Sequence, residues 1–126
     1  GQETPVTLKR AIQDIEKAVG KGNVGINLDP ANLIMYGKAN PVDALEVFGE
    51  YVMGIHGKDG KYPTDGHHLG DEVPLGQGKV NYSAFIAKLK EIGYQGDITI
   101  EREISGEEQK KDIRMAKELL DKLIAE

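Results

Sequence analysis

Three parallel strands alternating with four helices, an α/β arrangement forming the wall of an incomplete barrel, is the fold this sequence predicts. Three observations lead there. Short apolar runs alternate with amphipathic stretches in the order α-β-α-β-α-β-α, and such alternation means right-handed βαβ units in a parallel sheet. Three strands are too few to close a barrel, which needs about eight, and a free sheet of three leaves unpaired backbone groups along both edges. Residues 1–126 therefore read as the C-terminal half of a larger barrel, either a fragment or the partner of a missing N-terminal half. Finally, each strand ends on a side chain that binds metals: Asp29, His56 and Glu101. Strand C-ends gather along one edge of a parallel sheet, where the chemistry of such folds sits.

The first helix starts at Thr4-Pro5, an N-cap followed by a proline suited to the first helical position. Leu8, Ala11, Ile12, Ile15 and Val19 form its apolar face, and Gly20 and Gly22 stop it. Val24 to Leu28 is the first strand, with Leu33, Ile34 and Met35 in a loop or short helical turn beyond it. Asn40-Pro41 begins a short helix through Phe48, and a second strand runs from about Tyr51 to Ile55. A glycine-rich connection from Gly57 to about Val80 follows, a length that marks a functional or disordered segment. Asn81 caps a helix carrying Phe85, Ile86, Leu89 and Ile92, and Asp97 to Ile100 is the third strand. Ser105 and Glu108 have the spacing of a capping box for the last helix, whose apolar face is Ile113, Ala116, Leu120 and Leu123.

Composition narrows the function. The chain is 39% hydrophobic and 29% charged, ordinary for a globular domain. A net charge of −5 offers nucleic acid no bulk attraction. Without cysteine there is neither a disulfide framework nor a thiolate zinc site. No apolar run approaches the roughly 20 residues needed to span a bilayer. The start, Gly1-Gln-Glu-Thr-Pro5, reads like the interior of a protein just after a strand. A cytoplasmic location is expected, with a targeting signal upstream left open.

Two carboxylates and an imidazole form a hard donor set suited to one divalent cation, Mn²⁺, Mg²⁺, Co²⁺ or Zn²⁺, without choosing among them. Taken singly, Asp29 before Pro30 suits a turn, and His56 suits a packed histidine. Glu101, ending an apolar strand, must point into a site or meet a cation such as Lys58 or Arg102. Lys58 and Asp59 come just after His56-Gly57 and are read either as a solvated pair or with one of them meeting substrate oxygens or orienting a ligand. His67 is a further candidate beside His68 in the long connection, and Glu72 begins a turn, through Gly78, that supports the site.

The segments Asn27-Leu-Asp-Pro-Ala-Asn32, His56-Gly-Lys-Asp59, Pro74-Leu-Gly-Gln-Gly78, Glu91-Ile-Gly-Tyr-Gln-Gly96 and Ile98-Thr-Ile-Glu-Arg-Glu103 together resemble the sugar phosphate isomerase/epimerase family, the xylose-isomerase-like TIM barrels. Their order matches that family's last three βα units. The resemblance implies a (β/α)8 TIM barrel of which this is the C-terminal part. It implies one divalent metal held by a Glu, an Asp, a His and a second Glu, the last three matching Asp29, His56 and Glu101. The first Glu falls upstream of Gly1. Glu3 resembles a position nearer the substrate, and Asn32 stands where several members carry a substrate-touching His. The implied reaction is proton transfer beside a sugar carbonyl through an enediolate, with Glu101 as ligand and acid/base. Substrate contacts are then expected at Glu3, Asn32, Lys58, Asp59, His67, Glu72 and Arg102. The expected substrate is a small sugar or sugar phosphate, and the isolated half, lacking the upstream Glu, is expected to be inactive and to bind metal poorly.

Two other classes remain. A metal-dependent apurinic-site endonuclease would share the ancestry, and the Asp65-Gly-His67 spacing resembles one of its ligand pairs. A non-catalytic barrel relative would act as a binding or assembly module, with the open sheet edges favouring homo-oligomers.

Overall fold

The computed structural model describes residues 3–22 and 24–126. In chain order the elements are α1 (Pro5–Val19), β1 (Ile26–Leu28), α2 (Pro30–Met35), α3 (Pro41–Phe48) and a 3₁₀ turn (Gly49–Tyr51), then β2 (Val52–Gly57), β3 (Asp59–Gly60), β4 (Glu72–Val73), α4 (Tyr82–Glu91), β5 (Ile98–Ile100) and α5 (Glu107–Ala125). The main sheet has the order β1-β2-β5, all parallel, with β1 and β5 at its edges. Helices α1, α3, α4 and α5 touch in sequence and so share one face of it. The other face carries Asn27 and Thr99, both exposed. A sheet with helices on one side only is a section of barrel wall, not a doubly wound sheet.

Local chemistry sets most boundaries. The Thr4 hydroxyl accepts from the backbone N–H of Thr7, and the Asn40 and Asn81 amides cap α3 and α4 in the same way. Ile26, Leu28 and Ile55 from the strands pack against Ile12, Phe48 and Phe85 from the helices, all 5% exposed or less. Burying an aromatic or branched aliphatic side chain contributes about 1.5–3 kcal/mol. This layer fixes which strand faces point toward helices and which toward the bare side.

Three expectations are corrected. The first strand begins at Ile26, not Val24. Residues 30–35 form a helix of their own, so the described residues hold five α-helices rather than four. The Ser105–Glu108 capping box does not form: Gly106, at φ 85°, is the N-cap, and no side chain caps α5. A positive φ at this position, natural only to glycine, lets the chain enter the helix one residue later than the motif implies.

The 57–80 connection is ordered by backbone pairing. β3 and β4 form an antiparallel ribbon, Asp59 opposite Val73 and Gly60 opposite Glu72. Beyond it, the N–H of Lys61 donates to Asp71 O, that of Gly70 to Met35 O and that of Lys79 to Gly60 O.

Candidate metal centre

Asp29 is the residue after β1, His56 lies in the last turn of β2's pleat, and Glu101 follows β5. Parallel pairing puts all three at one end of the sheet. His56 Nδ1 stands 3.6 Å from Asp29 Oδ2 and 3.4 Å from Glu101 Oε2. One ligand atom from each residue lies within 4.8 Å of the other two. Among the described residues this is the one cluster of at least three such groups.

Asp29 divides its work between its oxygens. Oδ1 accepts from the N–H of Asn32 at 2.9 Å and caps α2, so the turn role is real. Oδ2 is buried with no hydrogen-bond donor. A buried carboxylate oxygen without a donor is unfavourable unless a cation meets it. Burial raises the Asp29 pKa above the usual 3.8. The Asn32 N–H, Lys58 and His56 act against this, and Glu101 adds to it.

Lys58 is not a solvated charge. Its side chain is 2% exposed, and Nζ reaches Glu103 Oε1 at 2.7 Å, Glu101 Oε2 at 3.2 Å and Asp29 Oδ2 at 3.8 Å. Burial opposes the ammonium charge, but the hydrogen bond to Glu103, Asp29 nearby and the bond to Glu101 outweigh it, and the Lys58 pKa is raised. Its backbone is clamped by Tyr82, whose hydroxyl donates to Lys58 O at 2.6 Å and accepts from Lys58 N at 2.9 Å. Neither Tyr82 nor Glu103 is singled out by the sequence reading.

Other expected substrate contacts separate into two groups. Glu3, Asn27, Asp29, Asn32 and Tyr36 share the wall of a cavity of about 440 Å³ with apolar side chains such as Leu8 and Phe48, so Glu3 and Asn32 lie on the Asp29 side of the cluster. Asp59, Glu72, Arg102 and His67 are not brought to it. The Asp59 carboxylate is 1% exposed and accepts from the N–H groups of Gly60, Gly76, Gly78 and Val80. Strand parity explains this: His56 and Lys58 face the centre, and Asp59 faces the loop. Gly78 lies against this carboxylate so closely that a Cβ would overlap Asp59 Oδ1.

Arg102 likewise alternates with Glu101 and Glu103. Its Nε donates to Asp112 Oδ2 at 2.8 Å, and Nη1 is 3.3 Å from Glu72 Oε1. Glu72 also accepts from the N–H of Glu103. These residues brace the end of β5 and do not face the triad. His67 is exposed, and its N–H donates to Asp65 Oδ1 at 2.7 Å. That carboxylate also accepts from the N–H of His68 and faces its ring, so the Asp65–His67 pair is occupied with its own turn.

Helices on one face, a bare face opposite and a carboxylate–imidazole–carboxylate cluster at the strand C-ends make this a section of barrel wall with a candidate metal site at its C-terminal edge. Residues 1–123 match the family described as the xylose isomerase-like TIM barrel, and the chain belongs to that family. It is similar to a xylose isomerase domain protein from Planctomyces limnophilus, with TM-score 0.82 and 44% identity over 96% of this chain and 45% of that one. A D-tagatose 3-epimerase-like protein matches with TM-score 0.60 and 26% identity, over 97% of this chain and 41% of that one. An uncharacterised protein of Methanocaldococcus jannaschii is 32% identical over 99 residues, 78% of this chain and 31% of that protein. The chain thus spans less than half the length of these relatives.

Proposed function

We propose that this chain supplies the metal-holding C-terminal half of a divalent-metal-dependent sugar or sugar-phosphate isomerase or epimerase. The observation that carries the proposal is the convergence of Asp29, His56 and Glu101, with a donorless buried oxygen on Asp29. These three residues would hold the cation, and their oxygen and imidazole donors fit Mn²⁺, Mg²⁺, Co²⁺ or Zn²⁺. When bound, the cation polarises the sugar carbonyl and a neighbouring hydroxyl and stabilises the negative charge that develops there. Family membership and the likeness to a D-tagatose 3-epimerase-like protein support the substrate class.

The chain's own residues take defined parts. Glu101 is the carboxylate placed to move a proton at the carbon beside the carbonyl. Lys58 presents an ammonium, held by Glu101 and Glu103, that can donate to a substrate oxygen. Glu3 and Asn32 flank the adjoining cavity and can bind sugar hydroxyls. Asn32 donates and accepts hydrogen bonds but neither takes up nor releases a proton at neutral pH, so the second acid/base falls to a residue outside this set. We assign it to the half of the barrel that would extend the sheet at its β1 and β5 edges. No helix among the described residues is long and apolar enough to cross a membrane.

Deuterium exchange tests this. Incubated in D₂O with a divalent cation and a panel of ketoses and ketose phosphates, the complete barrel should exchange the proton beside the carbonyl. Glu101→Gln should slow that exchange by at least about 100-fold, and the isolated chain should be silent. Exchange that persists undiminished in Glu101→Gln would remove the proposal's main support.

A further inference from the structure

We infer that Asn27 is a positioning residue for the cation site, setting which nitrogen of His56 is free to bind. The inference rests on the metal reading of Asp29, His56 and Glu101 and extends it to a side chain outside that triad. Asn27 sits at the centre of β1 on the bare face of the sheet, two residues before Asp29 and so on the same side of the strand. Its Nδ2 lies 3.2 Å from His56 Nε2, while His56 Nδ1 faces Asp29 and Glu101. The opposite position on β2 is Gly54, where an added Cβ would come 3.0 Å from Asn27 Oδ1. The missing side chain leaves room for the amide to lie across the two strands and meet the ring.

The two ring nitrogens are coupled. A neutral imidazole has one N–H, and the hydrogen bond at one nitrogen decides whether the other carries the proton. With Nδ2 donating to Nε2, the ring proton belongs on Nδ1 and points at the carboxylates. Binding a cation through Nδ1 requires the proton on Nε2, which then needs an acceptor. Rotating the Asn27 amide by half a turn supplies one, because Oδ1 takes the place of Nδ2. Asn is suited to both arrangements: it offers a donor to one tautomer and an acceptor to the other. An aspartate at the same position would accept only, holding Nε2–H at all times. Partners of this kind behind a ligating histidine typically change metal affinity by roughly 10–100-fold.

The experiment uses two variants, Asn27→Ala and Asn27→Asp, with two readouts. Co²⁺ and Zn²⁺ binding is followed by titration calorimetry, and the His56 tautomer by ¹⁵N NMR of the ring at alkaline pH, where imidazole is neutral. Asn27→Ala should bind cation about 10–100-fold more weakly than the parent chain, and Asn27→Asp should restore or exceed parental affinity. Without added cation, the parent should show the Nδ1–H tautomer and Asn27→Asp the Nε2–H tautomer. A parent that binds cation no more tightly than Asn27→Ala overturns the role of Asn27 while leaving the triad standing. A parent that takes up no cation contradicts the metal reading instead. In that case the tautomers still decide the matter, because identical ring spectra for parent and Asn27→Asp would overturn the inference.

Discussion

Replacing Asp59 with alanine is expected to lower the free energy of unfolding by about 4 kcal/mol. The carboxylate is the common acceptor for the N–H groups of Gly60, Gly76, Gly78 and Val80, at 2.8 to 3.1 Å. The bonds to Gly60 and Val80 are buried, and those to Gly76 and Gly78 are partly so. A buried donor left without an acceptor costs about 1–3 kcal/mol, and water reaching Gly76 and Gly78 keeps the total below four times that. The loss concentrates in one place. Residues 57–80 hold their shape through the β3–β4 ribbon and this hub, so their amides should lose hydrogen-exchange protection before those of β1 and β2 do. Asp59→Asn should fall between parent and alanine, since one amide oxygen can serve some of these donors but its NH₂ opposes the rest. Urea unfolding checks the prediction: a midpoint shift equivalent to less than about 1 kcal/mol would mean that the hub is not needed.

Asp29→Asn is expected to remove cation binding while leaving the fold at least as stable as before. Helix α2 keeps its cap, because asparagine is as good an N-cap as aspartate and Oδ1 can still accept from Asn32 N–H. What disappears is a buried charge whose second oxygen has no donor. Burial raises the Asp29 pKa above 3.8 in the folded chain, so the folded state holds this proton more tightly than the unfolded one. Its contribution is therefore most favourable at pH below 3.8 and declines as pH rises through the interval up to the folded value. Asparagine has no such decline. The stability difference between the two proteins should be near zero in acid and grow in favour of asparagine toward neutrality. Cation affinity should fall by more than the roughly 10–100-fold typical of groups behind the ligands. Thermal melts across pH, with and without Co²⁺, read both effects. A variant that melts lower than the parent at neutral pH without cation would contradict the account of Asp29.

The opposite behaviour of these two aspartates shows what a sequence can and cannot display. Asp29, His56 and Glu101 are legible because strand C-ends in a parallel sheet share an edge, so separation along the chain does not matter. The caps at Thr4 and Asn40 are legible because cap and proline are adjacent in the chain. Asp59 is not legible as a hub, because three of its partners are backbone N–H groups 17 to 21 residues away, which carry no residue signature. Its place beside His56 suggests the site, but strand parity turns it to the other face. Arg102 misleads for the same reason, flanked by Glu101 and Glu103 yet bound to Asp112. Asn27 meets His56, 29 residues away, across the paired strands β1 and β2, and Tyr82, at the start of α4, meets Lys58, 24 residues away, through packing of helix on sheet. Parity counted outward from His56 separates Lys58 from Asp59, and counted back from Asp29 it puts Asn27 on the same face.

The most direct measurement is a crystal of this chain soaked in Co²⁺ or Zn²⁺ and recorded at that metal's absorption edge. The account predicts an anomalous peak in contact with Asp29 Oδ2, His56 Nδ1 and Glu101 Oε2, with the Asn27 amide oxygen turned toward His56 Nε2. A peak at the exposed His67–His68 turn, with none between those three side chains, would contradict it.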